Sequence, residues 1–201
     1  MIAGPNASGK TTVIKPKYVE GRVKRYLDPD RLLSIAEGDI LNPKARREYE
    51  LNHPARFASL CIKDWLASER IRSEGFATES NLVSKHDFKT FRAAKAAGMQ
   101  TELYFVGVPL EVAIQREQAR VAGGEQKKIE IVYLMQRYSG IFNIQSHIDY
   151  GDVDIVMIYD NSHGKGEEQL LLRVEGGKTI FRHPNPPEWF RSAGIKQAAG
   201  A

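Results

Sequence analysis

The chain has 201 residues, 42% of them hydrophobic, with 29 basic and 25 acidic side chains for a net charge of +4. This suits one domain with a sizeable core. The longest apolar runs, Leu103 to Pro109 and Ile155 to Ile158, are too short to cross a bilayer, and no leader pattern precedes the fold, so the reading is a soluble, cytoplasmic protein with no membrane partner. A single cysteine, Cys61, excludes an internal disulfide and gives no zinc spacing, and basic residues scattered along the chain argue against a nucleic-acid stripe.

In chain order, Met1-Ile2-Ala3 reads as the end of a strand. A strand of ordinary length needs about five residues, so either this strand is short or the native start lies upstream. Gly4-Pro5-Asn6-Ala7-Ser8-Gly9-Lys10-Thr11 then matches the phosphate-loop pattern of two spaced glycines followed by Lys and a hydroxyl residue. Gly4 and Gly9 let the backbone curl around a β-phosphate so that N–H groups and a helix N-terminus face the anion. Lys10 would bridge the β- and γ-phosphates, Thr11 would hold Mg²⁺, and Thr12 begins the helix. The chemistry implied is binding of ATP or GTP with Mg²⁺.

Further strands are expected at Val23 to Leu27, Gly75 to Thr78, Thr101 to Val108 and Asp154 to Ile158. Between them, Lys44 to Ser73 reads as a helix interrupted near His53-Pro54, and Lys85 to Ala97 as a helix closed by Gly98. Leu110 to Arg120 and Ile129 to Phe142 flank Gly123-Gly124 as a helical hairpin, with a lid at about 117–137. Leu170 to Phe181, broken at Gly176-Gly177, reads as a β-hairpin. The fold class is therefore α/β: a P-loop nucleotide-kinase-like parallel sheet of about five strands flanked by helices, with a helical lid and a C-terminal β-hairpin. The domain is placed at 1–182, and 183–201 is read as an appended tail.

Polar residues just past the strands are the ones to weigh for chemistry. In Leu27-Asp28-Pro29-Asp30, a proline-set turn projects two acids; Asp30 is placed to take a proton from an attacking hydroxyl, or else caps the next helix. Glu79, beside Ser80 and Asn81, could contact Mg²⁺ or orient an acceptor, with Ser80-Asn81 alternatively a helix cap. Arg116, Arg120 and Arg137 straddle the glycine pair and could close over a γ-phosphate, or lie solvated on an amphipathic face. Asn161, in Tyr159-Asp160-Asn161-Ser162, could read a base edge, or make an ordinary turn. None of the five histidines has metal spacing, and each is expected to be exposed or in a loop.

Taken together, the phosphate loop, Leu27-Asp28-Pro29-Asp30, Gly75-Phe76-Ala77-Thr78-Glu79-Ser80, Arg120-Val121-Ala122-Gly123-Gly124, Gln136-Arg137-Tyr138 and Tyr159-Asp160-Asn161-Ser162 occur in an order that resembles the zeta-toxin group of P-loop kinases. The chain departs from that group at Glu125 to Ile129, after the glycine pair, and in having Glu79-Ser80 where Glu-Thr is usual. The resemblance implies a kinase that phosphorylates the 3′-hydroxyl of the sugar in UDP-N-acetylglucosamine. It implies Asp30 as base, Lys10 and Thr11 on phosphate and metal, Glu79 and Ser80 near the acceptor, and Arg120 and Arg137 as charge-stabilising lid residues. It also implies an antitoxin protein as partner. Two other readings stay open: a P-loop ATPase switch acting through a protein partner, and a kinase of nucleic-acid ends.

Overall fold

Hydrophobic side chains along the central strands are buried on both faces, which is why these segments read as near-continuous apolar runs. The computed structural model describes residues 1–29, 43–51, 53–83, 85–124 and 131–196. Its strands are β1 (Ile2–Ala3), β2 (Arg25–Leu27), β3 (Phe76–Ser80), β4 (Glu102–Gly107), β5 (Ile155–Asp160), β6 (Gln169–Glu175) and β7 (Lys178–Arg182). They form one sheet in the order β2-β3-β1-β4-β5-β6-β7. The first five are parallel; the expected hairpin β6-β7 extends the sheet antiparallel from β5.

On β4, Leu103 and Phe105 enter one core while Tyr104 and Val106 enter the other. This is the period of two that a sheet covered on both sides requires. The first core is completed by β5, β6, the segment α8 (Ile144–Asp149) and Phe91 of α5 (Lys85–Ala96). The second is completed by Val13 and Ile14 of the helix that follows the phosphate loop, a π-helical turn at Lys10–Ile14 continuing into α1 (Lys15–Tyr18). A third cluster packs Leu27 of β2 against Phe57, Cys61 and Trp65 of α3 (Pro54–Ala67) and Ile71 of α4 (Glu69–Glu74).

The helical stretch expected at 44–73 breaks at Pro54 as anticipated, separating α2 (Pro43–Glu50) from α3, and again at Ser68. There the Ser68 hydroxyl accepts the Ile71 N–H and starts α4. The lid region holds α6 (Leu110–Ala122) and α7 (Ile131–Tyr138), followed by a 3₁₀ segment at Ser139–Asn143.

Two expectations need correcting. The segment from 183 does not trail from the domain: α9 (Glu188–Ser192) inserts Phe190 into the first core, with Ala193 and Ile195 beside it. Its Pro-rich composition conceals three apolar side chains that the sheet edge needs for cover. His147 is fully buried, stacked on Phe88 with ring centroids 3.7 Å apart and edge-on to Phe91. Burial pushes its pKa from 6.5 down to about 4, with Asp152 opposing and Arg92 assisting.

Candidate functional site

The carboxyl ends of β1, β3, β4 and β5 converge on the phosphate loop, the place where open α/β sheets bind ligands. The loop leaves β1 level with the end of β3: Ala3 pairs with Ser80, and Gly4 N–H donates to Ser80 O at 3.2 Å. Gly4 (φ 144°), Ala7 (φ 59°) and Gly9 (φ 102°) adopt left-handed conformations that fold the loop into a concave turn. Pro5 O accepts from Ser8 N, and Lys10 Nζ lies 2.9 Å from Gly4 O and 3.0 Å from Pro5 O, so the lysine head sits inside the curl it belongs to. Thr12 is exposed, its hydroxyl 3.4 Å from Gly9 O.

Sheet register explains the next contact. Ile2 and Glu79 are partners in the parallel β1-β3 pair, so both point to the face covered by the loop helix; Tyr26, paired with Ala77, shares that face. Thr11 Oγ1 therefore meets Glu79 Oε1 at 3.1 Å, and Tyr26 OH donates to the same oxygen. Glu79 is buried despite its charge, held by these hydroxyls. A carboxylate and a hydroxyl side by side are hard oxygen donors of the kind Mg²⁺ takes when phosphates and water complete its shell, so these residues fit that ion. Among the described residues no group of three or more His, Cys, Asp or Glu could hold a metal without such help.

Beside this pair a cavity of about 220 Å³ lies between β3, α3 and α5. Lys10, Asp28, Glu79, Ser80, Asn81 and Asp87 line its polar side, and Ala58 and Ile62 of α3 its apolar side. Asp28, Glu79 and Asp87 are all more than nine-tenths buried. Ser80 also accepts Leu82 N–H at 2.9 Å. That bond helps hold Leu82 at φ 55°, and Asn143 Nδ2 donates to Leu82 O from the other side. Asp30 lies outside the described residues, as do Glu125 to Glu130 of the lid.

The lid arginines take different places. Arg137 Nη1 donates to Asn6 Oδ1 of the loop at 3.2 Å, whereas Arg120 pairs with Glu117 at 3.9 Å, one turn back on its own helix. Arg116 reaches the end of β5, donating to Asn161 O at 2.8 Å and Ser162 O at 3.3 Å. Asn161, considered above as a reader of a base edge, is buried beneath the loop with Nδ2 donating to Ser8 O at 2.8 Å. Tyr138, at the end of α7, donates to Val108 O at 2.9 Å, and its burial with Glu111 and Asp160 nearby pushes its pKa up to about 12.

Tyr26 and Asp87 were not singled out from sequence. A lone Tyr on a short strand and an acid in the first turn of a helix each have an ordinary structural use; only the register and the cavity give them a role at the site.

Sheet order and loop together define a P-loop nucleotide-kinase-like α/β fold. No family model matches the chain, and no curated protein matches it. Among solved structures, the AvrRxo1-ORF1:-ORF2 complex with ATP is similar with a TM-score of 0.61 at 17% identity, over 100% of this chain and 64% of that one. The same complex with sulphate ions gives 0.62 at 17% identity, with the same coverage. The PezAT chromosomal toxin–antitoxin system of Streptococcus pneumoniae gives 0.50 at 19% identity, over 83% of this chain and 70% of that one. The chain thus has the zeta-toxin-like P-loop kinase fold that its motif order resembles, and it spans 64% of the length of the first of these structures. No helix among the described residues is long and apolar enough to cross a membrane.

Proposed function

We propose that this protein is an ATP- or GTP-dependent, Mg²⁺-requiring kinase that transfers the γ-phosphate to a hydroxyl of a small molecule. The observation that carries the reading is the shared wall of loop and cavity: Lys10 belongs to the phosphate loop and also lines the pocket with Asp28, Glu79 and Asp87. A donor phosphate on the loop and a hydroxyl in the cavity would be held next to each other, which is most of what phosphoryl transfer requires. Gly4 to Thr12 would cradle the nucleotide phosphates, Thr11 and Glu79 would hold the metal, and Ser80 and Glu79 would orient the acceptor. Asp30, two residues past Asp28, is the proposed base; Arg137 and Arg120 are the proposed charge-stabilising cations.

The acceptor we favour is a UDP-sugar such as UDP-N-acetylglucosamine. A cavity of about 220 Å³ is on the scale of a sugar ring, and its carboxylates with hydroxyls suit hydroxyl donors rather than a diphosphate. On this reading the ring enters and the diphosphate stays outside. The solved neighbours include a complex with ATP and a toxin–antitoxin system. A nucleotide ligand and an antitoxin partner are proposed here by that likeness of fold. Ile131, Val132, Tyr133 and Met135, all about half exposed on α7, offer such a partner apolar surface on the helix whose Arg137 reaches the loop.

The test is transfer of labelled γ-phosphate from ATP with Mg²⁺ to UDP-sugars, nucleosides and oligonucleotides, with Lys10→Ala and Asp30→Asn alongside. A labelled UDP-sugar lost in both variants is the expected result. Free phosphate alone, unaffected by Asp30→Asn, would move the reading to an ATPase switch. Labelled oligonucleotide, with salt-dependent binding, would move it to a nucleic-acid end kinase.

A further inference from the structure

Three glycines near the loop lack side chains because other groups fill that space. A Cβ on Gly9 would lie 2.3 Å from Asn161 Nδ2, one on Gly4 2.2 Å from Val106 O, and one on Gly107 2.2 Å from the Trp189 ring. These contacts stack in order from the C-terminal helix to the phosphate loop. Trp189 covers Gly107; the carbonyl of the preceding residue, Val106, presses on Gly4, where the loop begins. Gly107 O accepts Asn161 N–H at 3.0 Å, and the Asn161 side chain holds Ser8 O.

A second line runs through hydrogen bonds. Trp189 Nε1 donates to Asp160 Oδ1 at 2.7 Å, and Ser162 Oγ donates to the same oxygen at 2.5 Å. Arg116 grips the carbonyls of Asn161 and Ser162. Asp160 and Asn161 are each 3% exposed. A buried carboxylate stripped of a donor carries a desolvation penalty and drives its surroundings to rearrange. Here the residue bonded directly to it is the one that touches the loop.

We propose that Trp189, and with it α9, positions the nucleotide site: acting through Asp160 and Asn161, it holds the Ser8 segment of the loop in the curl that receives phosphate. This rests on the nucleotide-binding reading above and adds a remote determinant to it. Trp189 is a positioning residue, not a catalytic one, because it touches the strand ends and not the loop cavity.

The test uses the full chain. Trp189→Phe keeps an aromatic ring over Gly107 and removes the N–H donor. Titration calorimetry with MgATP is expected to show affinity about tenfold weaker than wild type, the scale of one lost hydrogen bond to a charged group, with thermal melting still cooperative. Affinity within twofold of wild type in a folded Trp189→Phe chain would overturn the proposal. A second measurement needs no variant. Coupling between sites is reciprocal, so MgATP must slow amide hydrogen exchange at 188–192 in the wild-type chain, and unchanged exchange there under saturating MgATP would equally overturn it. A wild-type chain that binds no MgATP would instead remove the nucleotide reading itself, and this proposal with it.

Discussion

Arg137 Nη1 lies 3.2 Å from Asn6 Oδ1, joining the lid helix α7 to the phosphate loop across 131 positions of sequence. A guanidinium at this place is beside the loop where a γ-phosphate would lie, and its planar fork suits phosphate oxygens. On the proposed role in phosphoryl transfer, Arg137→Ala should lower kcat by on the order of 10²-fold or more, with ATP affinity changing far less, since charge stabilisation would be the larger part of its effect. Single-turnover transfer together with equilibrium ATP binding separates the two; an equal loss in both would make Arg137 a binding residue only.

Glu79 receives both Thr11 Oγ1 and Tyr26 OH. Glu79→Gln keeps an oxygen for those donors and removes the charge. On the proposed metal role, the Mg²⁺ concentration for half-maximal transfer should rise by about tenfold or more. A Mg²⁺ titration at fixed ATP reads this directly, and an unchanged midpoint would take Glu79 out of the metal site.

Two glycines with similar backbone strain should respond differently to alanine. At Gly9, φ is 102° and an added Cβ would meet Asn161 Nδ2; at Gly124, φ is 74° with nothing within 4 Å among the described residues. Gly124→Ala should cost only the left-handed penalty, about 1 kcal/mol. Gly9→Ala should cost about 1–3 kcal/mol more from overpacking and, on the proposed nucleotide reading, weaken ATP binding. Urea melts of both variants provide the comparison.

His147 makes stability depend on pH. Both ring nitrogens are buried without a hydrogen-bond partner among the described residues, and Nδ1 is 3.7 Å from Asp152 Oδ2. Its pKa falls from 6.5 to about 4 on folding, so the unfolded chain binds the extra proton between those values. The stability contribution is therefore complete above pH 6.5 and lost as pH falls toward 4, by about 3 kcal/mol at most. The difference in unfolding free energy between wild type and His147→Leu should shift by that order across the window; a difference independent of pH would show that the buried ring does not titrate.

The phosphate loop and the strands were legible in sequence because their signals are local. Gly4 and Gly9 are needed by the backbone conformation at their own positions, and strands such as Leu103 to Val106 announce themselves by apolar runs that need no knowledge of partners. The hairpin turn at Gly176-Gly177 is local in the same way. Which groups brace the loop was not legible. Asn161 reaches Ser8 across 153 residues, Tyr26 reaches Glu79 across 53 and Trp189 reaches Asp160 across 29. Taken singly, an Asn after a strand, a Tyr on a short strand and a Trp in a Pro-rich tail each have commoner uses. His147 looked like a surface histidine for the same reason, since only the packing of α5 against α8 decides that aromatic rings enclose it. Sequence by itself determined a loop shaped for phosphate and a sheet to carry it. The tertiary structure alone decided what holds that loop in shape, because strand register and the docking of α9 set which distant side chains share a face, and neither leaves a periodic or compositional trace.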